Sequence, residues 1–125
     1  MGTARRPRKP NCTKLQKAVR VVEDNDWGPR TDKACSIVSY ASDGQFPFGV
    51  KTTQKVIDAY VDGWWGPASK QATRETVINV QRALTDMGFI VYIDGVWGEQ
   101  TKKAFYDARD SHYPNPYDSP EPPDD

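Results

Sequence analysis

Aspartate and tryptophan meet three times at matched spacing in this chain: in EDNDWGPRT at Glu23–Thr31, in VDGWWGPAS at Val61–Ser69 and in IDGVWGEQT at Ile93–Thr101. A carboxylate beside an indole offers three kinds of chemistry. The carboxylate can accept hydrogen bonds from nearby amides and shape a turn. It can ligate a hard cation. The indole can fill a core or stack on a ligand. The cation reading fails on spacing. A calcium loop starting at Asp24 needs Gly at its sixth position and Glu at its twelfth, and the chain has Pro29 and Cys35 there. Catalysis finds no support either. His112 is the only histidine, whereas a zinc hydrolase needs several His, Asp or Cys ligands. A glycosidase needs two placed carboxylates, and among 17 acids some pair always exists, so their presence argues nothing. The expectation is a chain with no catalytic residue, metal or cofactor.

The indoles divide by position. Trp27, Trp65 and Trp97 each stand between the aspartate and a glycine, at a fixed place in the pattern. They are expected as anchors buried at the loop, each worth roughly 3–5 kcal/mol against Ala. Trp64 occupies the variable position, held by Asp26 and Val96 elsewhere. The fold does not demand an indole there, so Trp64 is the better candidate for an exposed, ligand-facing ring. Tyr60 and Tyr92 join it as candidate binding residues, with Asp62, Asp94 and Gln81 orienting the loops.

The elements that must hold these loops read as helices. Leu15, Ala18, Val19 and Val22 fall at i, i+3, i+4, i+7, as do Thr53, Val56, Ile57 and Tyr60, and again Val80, Ala83, Leu84 and Met87. That spacing lays one apolar stripe on a helix. After each loop the offsets return with Thr31, Ala34, Cys35 and Val38, and with Thr101, Ala104, Phe105 and Ala108. The middle copy runs on without a break, which predicts one long or kinked helix from about 68 to 87. Gly28, Gly66 and Gly98 read as N-caps, with Pro29 and Pro67 at the first helical position. Gly63 and Gly95 suit a positive φ, and Asn25 is the usual non-glycine substitute. A Gln precedes each loop (Gln16, Gln54, Gln81), 11 residues before the Trp in the first two copies and 16 in the third. The longer third loop, GFIVYIDG, is a candidate short strand. The predicted fold is therefore all-α: three helix-loop-helix repeats (about 12–40, 50–74 and 76–109) packed into one small domain over 12–110, with extended termini.

Those termini are charged oppositely. The arm over 1–11 holds Arg5, Arg6, Arg8 and Lys9 and no acid, while the tail over 111–125 holds Asp118, Glu121, Asp124 and Asp125 among five prolines. Lys plus Arg and Asp plus Glu both total 17, so nothing in the bulk charge favours nucleic acid. No run approaches the ~18 apolar residues of a membrane span. The basic start lacks the apolar stretch of a secretory signal, so work outside a cytoplasm needs another delivery route. Cys12 and Cys35 both fall on inward positions of the first unit. A disulfide there and two buried thiols are equally compatible.

The pattern VQRALTDMGF…DGVWGEQTKKAF resembles the peptidoglycan-binding-like module found beside catalytic domains in bacterial cell-wall hydrolases and phage endolysins. Val80, Gln81, Leu84, Gly88, Phe89, Asp94, Gly95, Trp97, Gly98 and Thr101 carry the likeness. It is closest over 76–109, good over 50–73 and looser over 12–40, where Asn25 replaces Gly and no Gly-aromatic step precedes the loop. The resemblance implies an all-helical module that binds wall glycopeptide without catalysing anything. The layout as a whole is similar to short stand-alone proteins of actinobacterial phages. On that basis the expected partner is peptidoglycan or another wall glycan, and the expected place is the virion or host wall, with the protein cytoplasmic until release. The alternative is a structural virion protein whose charged arms fasten it to capsid or tail subunits.

Overall fold

A computed structural model describes residues 10–112. The arginines of the basic arm and the Pro-rich tail from 113 onward lie outside the described residues. Among those described, every regular element is a helix: α1 (Thr13–Ala18), α2 (Pro29–Ser42), α3 (Val50–Val56), α4 (Pro67–Asp86) and α5 (Glu99–His112). The all-α class and the single long helix expected near 68–87 are both present. Ser111 and His112, assigned above to the tail, lie in the last turn of α5.

Local chemistry explains where the helices begin. Gly28 and Gly66 hold extended backbone at the N-caps of α2 and α4, with Pro29 and Pro67 following at the first turn. Proline there loses no intrahelical bond and arrives with φ already set. The helices that precede each loop also end alike. A residue in left-handed conformation closes each one: Arg20 (φ 60°), Asp58 (φ 61°) and Gly88 (φ 100°). Around each, the next amide reaches five residues back: Val21 N–H to Gln16 O (3.0 Å), Ala59 N–H to Gln54 O (2.8 Å) and Phe89 N–H to Leu84 O (3.0 Å). With the left-handed residue's own amide donating three residues back, to Lys17, Lys55 and Thr85 respectively, the pair is a Schellman cap.

These caps correct two expectations. The turn at Arg20 swings Val22 off the stripe predicted for it, leaving it 63% exposed, and the turn at Asp58 does the same to Tyr60. The proposed strand at GFIVYIDG is absent: residues 89–93 are irregular. The five extra residues of the third copy are absorbed differently. From Gln to the left-handed residue there are seven positions in the third copy and four in the others. From that residue to the Asp there are six against four. Three extra residues thus lengthen α4 and two lengthen the coil.

α4, roughly 30 Å long at 1.5 Å per residue, is the spine. α1, α2 and α5 all pack on it, and α3 packs on α2. Leu15, Val19, Val38, Ile57, Val77, Val80, Leu84 and Phe105 form the centre of one core. Cys12 and Cys35 lie in it as thiols rather than a disulfide. Burial foremost, then the Asp32 carboxylate and the Cys12 sulfur, push the Cys35 thiol far above its ordinary range, which keeps it unreactive. α5 closes the fold onto its beginning. Arg109 pairs with Asp32 of α2 at 2.7 Å, and His112 Nε2 lies against the Pro10 carbonyl.

Candidate functional site

Each loop is organised by its buried glutamine. Gln16, Gln54 and Gln81 are fully buried, and each side-chain amide faces the loop that follows. Gln81 Nε2 donates to Asp94 Oδ1, to the Val96 carbonyl and to Thr101 Oγ1, each at 3.0 Å. Its Oε1 accepts from the Asp94 and Gly95 amides at 3.0 and 2.9 Å. Gln54 makes the same set with Asp62, Trp64 O and Ser69, and with the Asp62 and Gly63 amides. Gln16 repeats it with Asp24, Asp26 O and Thr31, and with the Asn25 amide. The hydroxyl four residues past each Trp is thus a partner of the glutamine. The left-handed residue of each loop is Asn25 (φ 60°), Gly63 (φ 79°) or Gly95 (φ 76°), as the sequence suggested. Asn25 offsets its strain with a bond no glycine can make: its Oδ1 accepts the Cys12 amide at the start of α1 (2.8 Å).

The aspartates complete the loops. Asp24, Asp62 and Asp94 each accept the amide two residues on, from Asp26, Trp64 and Val96, at 2.9–3.0 Å. That backbone bond first, and the Gln amide second, hold all three carboxyls below the usual aspartate range. Asp62, Asp94 and Gln81, offered above as binding residues that orient the loops, therefore spend these bonding groups inside the protein.

The indoles do not share one environment. Trp27 is 2% exposed, between Phe105 (5.6 Å between ring centres) and the stacked His112 ring (5.9 Å), both from α5. Trp65 and Trp97 are only half-buried, which corrects the expectation of three equivalent plugs. Trp65 meets Phe46 at 4.6 Å and Trp97 meets Phe105 at 5.5 Å. The physical reason is the extent of cover: the last helix lies across the first loop and seals Trp27, whereas Phe46 and Phe105 cover Trp65 and Trp97 only in part. Trp64 is 67% exposed, as expected of the variable position. Its ring leans over Gly66 so closely that a Cβ there would sit 2.5 Å from it. Tyr60 and Tyr92 are exposed at 81% and 73%.

A concave surface forms elsewhere. The half-buried faces of Trp65 and Trp97 line one cleft of about 250 Å³ between the second and third loops, with Lys70, Arg74 and Asp43 at its walls. Trp64, Tyr60 and Tyr92 do not line it. Sequence reasoning passed over Lys70 and Arg74. Their spacing of four on the helix after the second loop was the available signal, since it puts both on one face. Among the described residues no group of three or more His, Cys, Asp or Glu is placed to hold a metal ion, and no helix is long and apolar enough to cross a membrane. Comparison with protein-family models, with curated proteins and with solved structures found no match.

Proposed function

We propose that this chain is a non-catalytic binding module for peptidoglycan or a related bacterial wall glycan, carried by a phage-type protein and built from three helix-loop-helix units. One observation carries the reading. The clamped loop recurs with nearly the same hydrogen bonds, yet in the second copy its variable position holds a large exposed indole, Trp64, braced against Gly66. The ring rests on Gly66 and leaves most of its surface open to a ligand. A flat ring beside polar loop groups suits the apolar face of a sugar. The wall as target comes from the resemblance of the loop sequence.

A second reading, a structural virion protein fastened through its charged ends, also draws on a particular contact. Pro10 and His112 adjoin, so the basic arm and the acidic tail attach to the helical body at one place. Co-sedimentation with purified insoluble wall tests the first reading. Retention of the wild type, lost in Trp64→Ala with the thermal melt unchanged, supports wall binding. Absence of retention at low salt, with the protein present in purified particles, supports the virion role.

A further inference from the structure

We infer that the acidic tail of this chain, the segment from Asp118 to Asp125, docks into a basic groove between α1 and α4. The groove, about 390 Å³, is lined by Lys14, Lys17 and Arg20 from α1 and the turn after it, and by Arg82 from α4. No carboxylate lines it. Two of these cations have acids beside the groove: Asp86 pairs with Lys14, and Asp58 lies 3.9 Å from Arg20. Lys17 and Arg82 are exposed and make no ion pair among the described residues. The whole chain balances at 17 bases and 17 acids, so the groove is a product of folding, which packs α1 against α4.

Three observations name the occupant. The first is position. α5 ends at His112, whose ring lies against the Pro10 carbonyl, just before α1 begins at Thr13. The tail therefore leaves the helical body beside the groove's own helix. The run from His112 to Asp118 spans about 19 Å at about 3.1 Å per residue for a proline-rich chain, whereas α1 is only about 9 Å long at about 1.5 Å per residue. The acids can reach the whole groove.

The second is charge. Beyond His112 the chain carries Asp118, Glu121, Asp124 and Asp125 and no base. Asp118, Glu121 and Asp124 recur every third residue among prolines, the repeat of a polyproline turn, so one edge of the segment can present all three. Lys14 and Lys17 likewise share a face of α1.

The third is strength. Exposed ion pairs are individually weak, and two of the four cations are already shared with Asp86 and Asp58. A free polyanion gains little from such a groove at cellular salt. A tethered segment meets it at an effective concentration on the order of millimolar, so weak pairs suffice.

The test places a nitroxide on the full chain through Ser119→Cys; Cys12 and Cys35 are fully buried and escape the label. Amide NMR signals fade where the label comes close. Signals around Lys17, Asn79 and Arg82 are expected to fade. They are expected to recover in Lys17→Gln/Arg82→Gln, with the thermal melt unchanged, and at about 1 M salt, where charges are screened beyond about 3 Å. Fading that is absent, spread evenly over the surface or confined to the basic arm overturns the inference. Equal fading in isotope-labelled chains that lack the nitroxide, mixed with chains that bear it, gives the tail to a second copy and overturns docking within one chain. Groove signals untouched by the label but shifted by a short DNA duplex assign the groove to nucleic acid, which also overturns it. Each of these failures leaves the wall-binding reading as it stands.

Discussion

Replacing Gln81 by Met puts the clamp to its most direct trial. Gln81 is fully buried and makes five side-chain hydrogen bonds, three donated and two accepted. Methionine has nearly the same length and volume, so no cavity is opened and the polar loss is isolated. The two amide hydrogens are shared among three acceptors, so at roughly 0.5–1.5 kcal/mol net per bond four full bonds bound the cost at about 2–6 kcal/mol. The loop amides and the Asp94 carboxylate are only partly buried, so water replaces some partners and the lower end applies, about 3 kcal/mol. For a domain near 100 residues that lowers Tm by about 12–24 °C. Urea denaturation followed by helix circular dichroism measures it. Gln71→Met is the control, since Gln71 is exposed and bonds only to Glu75 (2.9 Å), and it should stay within about 0.5 kcal/mol of wild type. If Gln81→Met melts like Gln71→Met, the glutamines do not hold the loops, and the account of the loops given above is wrong.

Two further outcomes follow from the loops and their caps. Asp24, Asp62 and Asp94 have folded-state pKa values below their unfolded ones, so their stabilisation is complete above the ordinary aspartate value of about 3.9 and lost as pH falls through the lower folded values. Melting temperature should drop steeply below pH 4, and Asp94→Asn, which keeps the accepting oxygen, should make that drop shallower; an unchanged slope would count against the assignment. Asp58 holds a left-handed conformation with its side chain exposed and only a long 3.9 Å pairing to Arg20. Asp58→Gly should therefore stabilise by about 0.5–1 kcal/mol in urea titration, and a loss of stability would show that the carboxylate matters more than the strain.

How much of this was legible beforehand varies with the range of the interaction. Gly66-Pro67 and Gly28-Pro29 announced helix starts because the cap is local chemistry. Trp64 could be set apart because its position varied within one chain. The Schellman turns at Arg20 and Asp58 were hidden, since arginine gives no sign of a left-handed φ and aspartate takes one only occasionally, whereas Gly88 advertised it. The missed turns are why Val22 was expected inside. The cleft was hidden for a different reason. Lys70, Trp97 and Asp43 come from three elements, and no spacing along the chain brings them together.

Taken alone, the order of residues determined the all-helical class, the recurring Asp-to-Trp-Gly loops and the glycine and proline starts of α2 and α4. Those outcomes depend on contacts within about twenty residues, where periodicity, caps and turn chemistry suffice. The tertiary structure decided which of three chemically matched indoles is sealed. Phe105 and His112 lie far from Trp27 in sequence and cover it because α5 folds back over the first loop. Trp65 and Trp97 are covered only in part, by Phe46 and by Phe105, and keep a face open to the cleft. Burial depends on what the rest of the chain lays over a residue, and three like sequences in unlike surroundings have three different fates.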